Sequence, residues 1–149
     1  IQQAFMEETA IQCGFCIPGF LMTAVEILDR GVLYSDDELR KHLTGCDGFV
    51  FAAGVDERVE GPAPIYNLYK KYNIDPINRL LKLAKECGVK HVSICGSYFS
   101  YFAKAMPELE LTKWHPYIRS RVDQENAAMS FADGNFSVTV LELPYAEKV

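Results

Sequence analysis

Three short apolar runs constrain this chain more than any other feature of it: Phe49-Val50-Phe51-Ala52-Ala53, His91 to Cys95, and Phe136 to Leu143. Each has the length of a buried strand. The first ends at Gly54, the second follows Gly88, and the third follows the turn Asp133-Gly134-Asn135. The runs lie too far apart for hairpins, and the segments between them carry helical signals. Ile65 to Glu86 reads as one or two helices, with Asp75-Pro76 as a restart point, Leu80, Leu81, Leu83 and Ala84 as an apolar stripe, and Gly88 as a stop. Pro116 to Ala132 reads as another helix. Strand–helix–strand–helix–strand with crossovers of this length implies a parallel three-stranded sheet joined by right-handed connections. A parallel sheet needs cover on both faces, and three strands are few for one. The expected class is therefore α/β, with a partial βαβαβ layer that looks like half of a larger doubly wound domain.

The residues before the first strand have a different texture, helical throughout. Gln2 to Ile11 has few breakers and places Ala4, Phe5, Ala10 and Ile11 at helical spacing. Pro18 suits a first helical position, where its missing N–H would lack a partner anyway. Phe20, Leu21, Ala24, Val25, Ile27 and Leu28 recur on one side of the helix that follows, and Gly31 can close it. Ser35-Asp36-Asp37-Glu38 is a capping-box pattern for a short helix to about Leu43, with Gly45 as its stop. The expected organisation is a small helical unit over 1–45 and the partial sheet over 46–149.

A net charge of −5 over 149 residues argues against nucleic acid as a partner, because phosphate binding needs a basic face. No apolar run is long enough to span a bilayer, and no signal peptide is visible. The chain opens on Ile1 rather than Met, as a piece of a longer protein would. Five cysteines, at 13, 16, 46, 87 and 95, form one close Cys-x-x-Cys pair and otherwise scatter. An odd count of this kind suits a reducing, cytoplasmic setting rather than a disulfide framework. Cys87 and Cys95 read as small inert hydrophobes. His42, His91 and His115 show no ligand spacing, and the four methionines, Trp114 and the aromatics at 98–102 read as packing residues.

Cys13 and Cys16, with a glycine between them and a helix N-terminus just after, place two thiols where thiolate is favoured. Zinc knuckle, redox pair, cluster half-site and a purely structural role are all compatible with the pair alone. The strings Gln2-Gln3-Ala4-Phe5, Gln12-Cys13-Gly14-Phe15-Cys16-Ile17-Pro18-Gly19-Phe20 and Leu39-Arg40 to Leu43-Thr44-Gly45 resemble the helical [2Fe–2S]-binding domain of the molybdenum hydroxylase family, which includes xanthine dehydrogenase. That resemblance implies Cys13 and Cys16 as two ligands of an electron-transfer cluster. The family's second pair is a Cys-x-Cys shortly after Leu-[Ser/Thr]-Gly. Here Leu43-Thr44-Gly45 leads into Cys46-Asp47-Gly48-Phe49, so Cys46 stands alone and about two residues early. A [2Fe–2S] cluster takes four ligands, normally thiolates, so the expectation is an incomplete site holding Cys13, Cys16 and Cys46. A cluster shared between two chains is the chemical alternative.

In the second half, Ser97 follows the second strand, and Tyr117 opens a helix with Arg121 four positions on, hence on the same face. A hydroxyl, a phenol and a nearby cation suit proton transfer to or from a substrate alcohol, since a cation stabilises phenolate. A surface Tyr/Arg pair without chemistry is the plainer meaning of that spacing. Gly45 to Gly54, Gly96-Ser97-Tyr98-Phe99-Ser100-Tyr101 and His115-Pro116-Tyr117-Ile118-Arg119-Ser120-Arg121 resemble the extended short-chain dehydrogenase/reductases, in particular the NAD-dependent epimerase/dehydratases, over residues 45–145. The resemblance implies a Rossmann-like sheet, Ser97 orienting substrate, Tyr117 as general acid/base, and Ala52, Ala53 and Gly54 lining an NAD(P) cleft. Two departures accompany it. Arg121 stands in place of lysine, with the same charge but a different donor geometry. No Gly-x-x-Gly-x-x-Gly occurs, and helices rather than a pyrophosphate-binding strand and loop precede Phe49.

Three expectations follow: an oxidoreductase-derived chimera with little catalysis as a lone chain, an electron-transfer module of a larger oxidoreductase complex, or a non-catalytic protein that self-associates through an uncovered sheet.

Overall fold

The computed structural model describes residues 1–7, 17–30 and 34–144. They form two compact units, one from residues before Asp36 and one from Asp36 onward. Among the described residues no helix is long and apolar enough to cross a membrane.

The first unit contains α1 (Gln2–Glu7) and α2 (Ile17–Arg30). Gln3 donates to Glu7 across one turn of α1. At the far end of α2 the Arg30 guanidinium lies 4.2 Å over the Tyr34 ring, and the Tyr34 hydroxyl donates to Glu26. Met22 and Leu28 are largely exposed, so α2 keeps apolar surface uncovered within this unit. The expected continuation of α1 to Ile11, the turn with Cys13 and Cys16, and the Gly31 stop lie outside the described residues.

The second unit is the α/β layer. Its strands are β1 (Gly48–Phe51), β2 (His91–Cys95) and β3 (Ser137–Leu141), in spatial order β1-β2-β3 and parallel throughout. The helix α3 (Asp36–Leu43) precedes them and belongs to the same unit. The connection from β1 to β2 runs through α4 (Tyr66–Tyr69), a π-helical turn (Lys70–Ile74) and α5 (Asp75–Glu86). The connection from β2 to β3 runs through α6 (Tyr98–Ala105), a short 3₁₀ turn, α7 (Leu111–Trp114) and α8 (Pro116–Met129). Asp75-Pro76 is the expected restart point, and Gly88 closes α5 with φ of +81°, a value that favours glycine. Both α6 and α7 are absent from the sequence expectation, because their aromatic-rich stretch lacks a clean period.

Strands laid down in consecutive order by crossovers of one hand put both crossover helices on one face of the sheet. The burial pattern agrees. Val92 and Ile94 of β2 are almost wholly buried and line up with Phe51 of β1 and the half-buried Val138 and Val140 of β3. Ile77, Leu81, Leu83 and Ala84 of α5 and Ala128 of α8 complete that core. The other face carries Val50, Ser93, Cys95, Thr139 and Leu141, with Val50 66% and Leu141 43% exposed. One face of the sheet is therefore bare within this unit, as the shortage of strands suggests.

The helix α3 is tied to α5. Leu43 enters the core, Arg79 of α5 donates to Asp36, and Arg40 donates to Glu86 at 2.8 Å. The expected stop at Gly45 is present, with φ of +84°.

Two polar devices fix the loops at the sheet ends. The π turn carries the fully buried Asn73 under the loop after β1, where its Oδ1 accepts from the Val55 amide at 2.8 Å and its Nδ2 donates to the Val55 carbonyl at 3.1 Å. At the opposite end, Asp133 accepts from the Asn135 and Phe136 amides and pairs with Lys85 of α5. That contact to Lys85, followed by the amide bonds, holds the Asp133 carboxyl below its ordinary value of 3.8.

Several packing expectations are corrected. Trp114 is 77% exposed rather than packed, because α7 is too short to bring it back onto the layer. Met6, Met22 and Met129 are exposed rather than core filler, and so is Tyr101.

Leu43→Ala should cost about 2–3 kcal/mol in urea unfolding, through the cavity it leaves under α3. Asn73→Ala should cost about 1–3 kcal/mol in urea unfolding, because the Val55 amide loses its partner where water has little access and the Val55 carbonyl keeps only its contact to Arg121. Asp133 contributes stability that is present above its unfolded value and lost as pH falls through the depressed folded value. Unfolding midpoints followed downward from about pH 5 should therefore decline less steeply in Asp133→Asn than in the parent chain.

Candidate functional site

Ligands in open α/β sheets bind outside the carboxyl ends of the strands, and the sequence-predicted Ser97, Tyr117, Arg121 and Ala52 to Gly54 all gather at that end here. Phe51 is the last residue of β1, and Ala52, Ala53 and Gly54 leave it as an exposed segment. Gly54 has φ of +149°, and a Cβ there would stand 2.8 Å from Asn73 Oδ1 and 3.4 Å from an Arg121 terminal nitrogen. Glycine is needed so that the backbone can lie directly on those two side chains.

At the end of β2, Gly96 donates to the Leu141 carbonyl at 2.8 Å, and a Cβ on it would collide with Val140. That close approach ties the loop to β3 and aims Ser97 at the start of α6. Ser97 is the N-cap of α6, buried, with its hydroxyl oxygen accepting from the Phe99 amide. Its structural use as a cap is thus explicit.

Pro116 pre-sets the first turn of α8, and Tyr117 follows it into the interior, 4% exposed. The Tyr117 ring meets Tyr69 and Phe99 edge-on, with centroids 5.6 and 5.9 Å away. Phe99 therefore links the two predicted residues, through its amide to Ser97 and its ring to Tyr117. One turn on, Arg121 is 9% exposed, and its guanidinium carbon lies 5.2 Å from the centroid of the Tyr117 ring. Its Nε donates to the Tyr117 hydroxyl at 3.1 Å, one terminal nitrogen donates to Gln124 Oε1 at 2.9 Å, and the other reaches the Val55 carbonyl at 3.4 Å. The Tyr/Arg pair is thus a buried assembly rather than a surface pair.

Three residues of this assembly escape sequence reasoning. Asn73 lies in the π turn, Ser120 bonds to the Tyr117 carbonyl, and Gln124 donates to the Asn73 carbonyl at 2.7 Å. All three are essentially inaccessible to solvent. The inward face of α8 is itself polar, with Ser120, Arg121 and Gln124, so hydrophobic periodicity gives no sign of it. The isolated Asn just before the Asp75-Pro76 restart is the one signal that could have been used.

The surroundings of the site hold further ionisable groups. The Asp56 carboxyl is held low by its bond to Arg58, and burial pushes the Tyr69 phenol up. On the outer side of α8, burial first and then the bond to Asp123 push Tyr66 up to about 12.

Of the predicted cluster ligands, Cys13 and Cys16 lie outside the described residues. Cys46 is exposed, and its thiol donates to the His42 carbonyl at the end of α3. Cys87 is half-buried with its sulfur 3.8 Å from the Arg40 carbonyl, and Cys95 is half-buried on β2. Among the described residues no group of three or more His, Cys, Asp or Glu is placed to hold a metal. The residues do not fit a complete [2Fe–2S] site, since the segment through Cys46 supplies three thiols where four are required. Asn73 and Arg121 lie directly beneath Gly54, and the sequence carries no Gly-x-x-Gly-x-x-Gly.

Residues 1–47 match the family of the [2Fe-2S] binding domain. Over 54 residues the chain is 37% identical to the nicotinate dehydrogenase small FeS subunit of Eubacterium barkeri, covering 34% of each. Over 53 residues it is 40% identical to the nicotine 6-hydroxylase small subunit of Paenarthrobacter nicotinovorans, which is 33% of this chain and 32% of that protein. The chain thus spans about a third of the length of the curated relatives it matches. The structure of MoeE5 in complex with UDP-glucuronic acid and NAD matches at a TM-score of 0.50 and 17% identity, over 73% of this chain and 38% of that one. The N-terminal third is therefore similar in sequence to the [2Fe–2S] domain of molybdenum hydroxylase small subunits, and the fold is similar to that of an NAD-holding structure.

Proposed function

We propose that this chain is an oxidoreductase-derived chimera, in which a [2Fe–2S]-domain segment runs into a piece of a short-chain dehydrogenase-type sheet, and that it has little catalytic activity by itself. The observation that supports this best is the double allegiance of α3. By sequence it lies inside the segment matched by the [2Fe–2S] binding domain, yet its Leu43 and the bonds made by Asp36 and Arg40 lie against α5 of the sheet unit. A short helix that ends in Leu-x-Gly satisfies both patterns, so a join there leaves local secondary structure intact. We place the boundary between the two pieces at residues 43–48.

Low activity follows from the strand ends. Tyr117 and Arg121 satisfy one another in a buried assembly, and the loop that would hold a pyrophosphate is not in the sequence. Within the short-chain dehydrogenase reading, Ser97 orients the substrate oxygen, Tyr117 exchanges its proton, and Arg121 holds the phenolate. A nicotinamide cofactor, when bound, would supply the hydride.

The identity to small subunits of this kind favours a second reading, an electron-transfer module that works within a larger complex. Cys13 and Cys16 would then be ligands, and Cys46 a candidate third. The names of the relatives describe subunits, and the sheet face left uncovered within the second unit offers a surface for an assembly partner.

The test is to purify the full chain anaerobically, record its visible spectrum, and assay iron, acid-labile sulfide and NADH binding. The chimera reading expects a colourless protein without stoichiometric iron and without saturable NADH binding. Absorption in the visible with stoichiometric iron and sulfide, lost in Cys13→Ser, would overturn it in favour of the electron-transfer module. Saturable NADH binding with turnover abolished in Tyr117→Phe would instead restore an active dehydrogenase.

A further inference from the structure

Arg121 poses an electrostatic problem that its bond to the neutral Tyr117 phenol leaves open. The residue is 9% exposed, and its acceptors are a phenol, a side-chain amide and a backbone carbonyl, all neutral. Among the described residues no carboxylate pairs with it. The Asp56 carboxyl feels its charge without a hydrogen bond to it among the described residues, and is itself bonded to Arg58. A buried cation without a hydrogen-bonded counter-charge is costly, and such charges in proteins are ordinarily paired.

The donor count points the same way. A guanidinium has five N–H groups. Here Nε uses its one, and each terminal nitrogen uses one of its two. One N–H on each terminal nitrogen is left without an acceptor among the described residues. A carboxylate or phosphate can accept from such unused N–H groups, and arginine binds anions most strongly when two are taken at once.

The location fits a ligand. The guanidinium lies at the carboxyl end of β1, within 4 Å of where a Gly54 Cβ would stand, beside the exposed segment Ala52 to Gly54. It is also held rigidly. The Tyr117 ring lies against it, and Gln124 is itself fixed to the Asn73 carbonyl. A charged group clamped by neutral partners at a strand end has little reorganisation to undergo when an anion arrives.

We infer that Arg121 anchors an oxyanion, the carboxylate or phosphate group of a small ligand, at the carboxyl end of β1. The site requires only the sheet unit, so it stands whether or not residues 1–47 hold a cluster and whether or not NAD binds. Arg121 is then a binding residue that takes a negative charge, and its presence in place of lysine changes what the strand end recognises from a point-charge site to a two-pronged one.

The experiment uses the full chain, ¹⁵N-labelled, titrated at constant ionic strength with inorganic phosphate and, separately, with acetate. The Arg121 Nε–H resonance, identified by its loss in Arg121→Lys, is followed together with the thermal unfolding midpoint. The expected result is a saturable shift of that resonance and a rising midpoint at concentrations up to about 10 mM, with affinity at least about tenfold weaker in Arg121→Gln. Saturation by phosphate alone assigns a phosphorylated ligand, and saturation by acetate alone a carboxylate. No saturable shift with either anion overturns the inference, as does an Arg121→Gln protein that binds as well as the parent. Should Arg121→Gln fail to fold, the parent resonance and the Arg121→Lys affinity decide, with weaker binding by lysine expected and equal binding overturning the bidentate site.

Discussion

The one-sided burial of the sheet organises the described fold. Parallel strands need crossovers, crossovers of one hand in consecutive order stack on one face, and so α5 and α8 are driven against the same row of side chains: Phe51, Val92, Ile94, Val138 and Val140. Everything at the strand ends hangs from that arrangement. Because α8 packs beside the π turn that leads into α5, Gln124 can reach the Asn73 carbonyl, Asn73 can clamp Val55, and Arg121 can lie under Gly54. The same arrangement leaves Val50 and Leu141 on a face with no cover from within the unit.

Which parts of this were legible in the sequence depends on whether the signal was local. The three strands, the restart at Asp75-Pro76, the start of α3 and the glycine stops at 45 and 88 are local, and the structure has them to within a few residues. Tyr117 and Arg121 share a helical face by spacing alone, and they are hydrogen-bonded to each other. What could not be read is where tertiary contact overrules local pattern. The polar inward face of α8 gives no apolar stripe, yet Ser120, Arg121 and Gln124 are buried because they satisfy one another and Asn73. Trp114 looks like a core residue by type, and its exposure follows from the shortness of α7, which no residue in that stretch announces.

The helix α3 shows why sequence likeness and packing need not divide a chain at the same place. Its capping pattern and its Leu-Thr-Gly ending are properties of a few consecutive residues, and they lie within the segment matched by the [2Fe–2S] binding domain. Its allegiance in the structure is set by what lies beside it: a core position for Leu43, and Glu86 and Arg79 of α5 for Arg40 and Asp36. Exposed ion pairs of this kind contribute little each, so the apolar contact decides. One well-placed leucine is therefore enough to set which unit the helix packs in.

The thiols and the guanidinium illustrate opposite ways in which a site can be incomplete. Cluster chemistry needs a fixed number of ligands, and a segment with three thiols cannot approximate four. A charge is more forgiving. Arg121 donates three of its hydrogen bonds to neutral groups, and an anion would supply the bonded counter-charge that these partners do not. At the first of these centres, Cys46-Asp47-Gly48 leads straight into β1, so this stretch offers one thiol. The second could change its ligand and remain a site, because the parts that hold it, the Tyr117 ring, Gln124 and the Val55 carbonyl, all lie within the sheet unit. Recognition at such a strand end survives the loss of a cofactor loop more readily than catalysis does, since binding asks for one well-held charge and catalysis for a complete constellation.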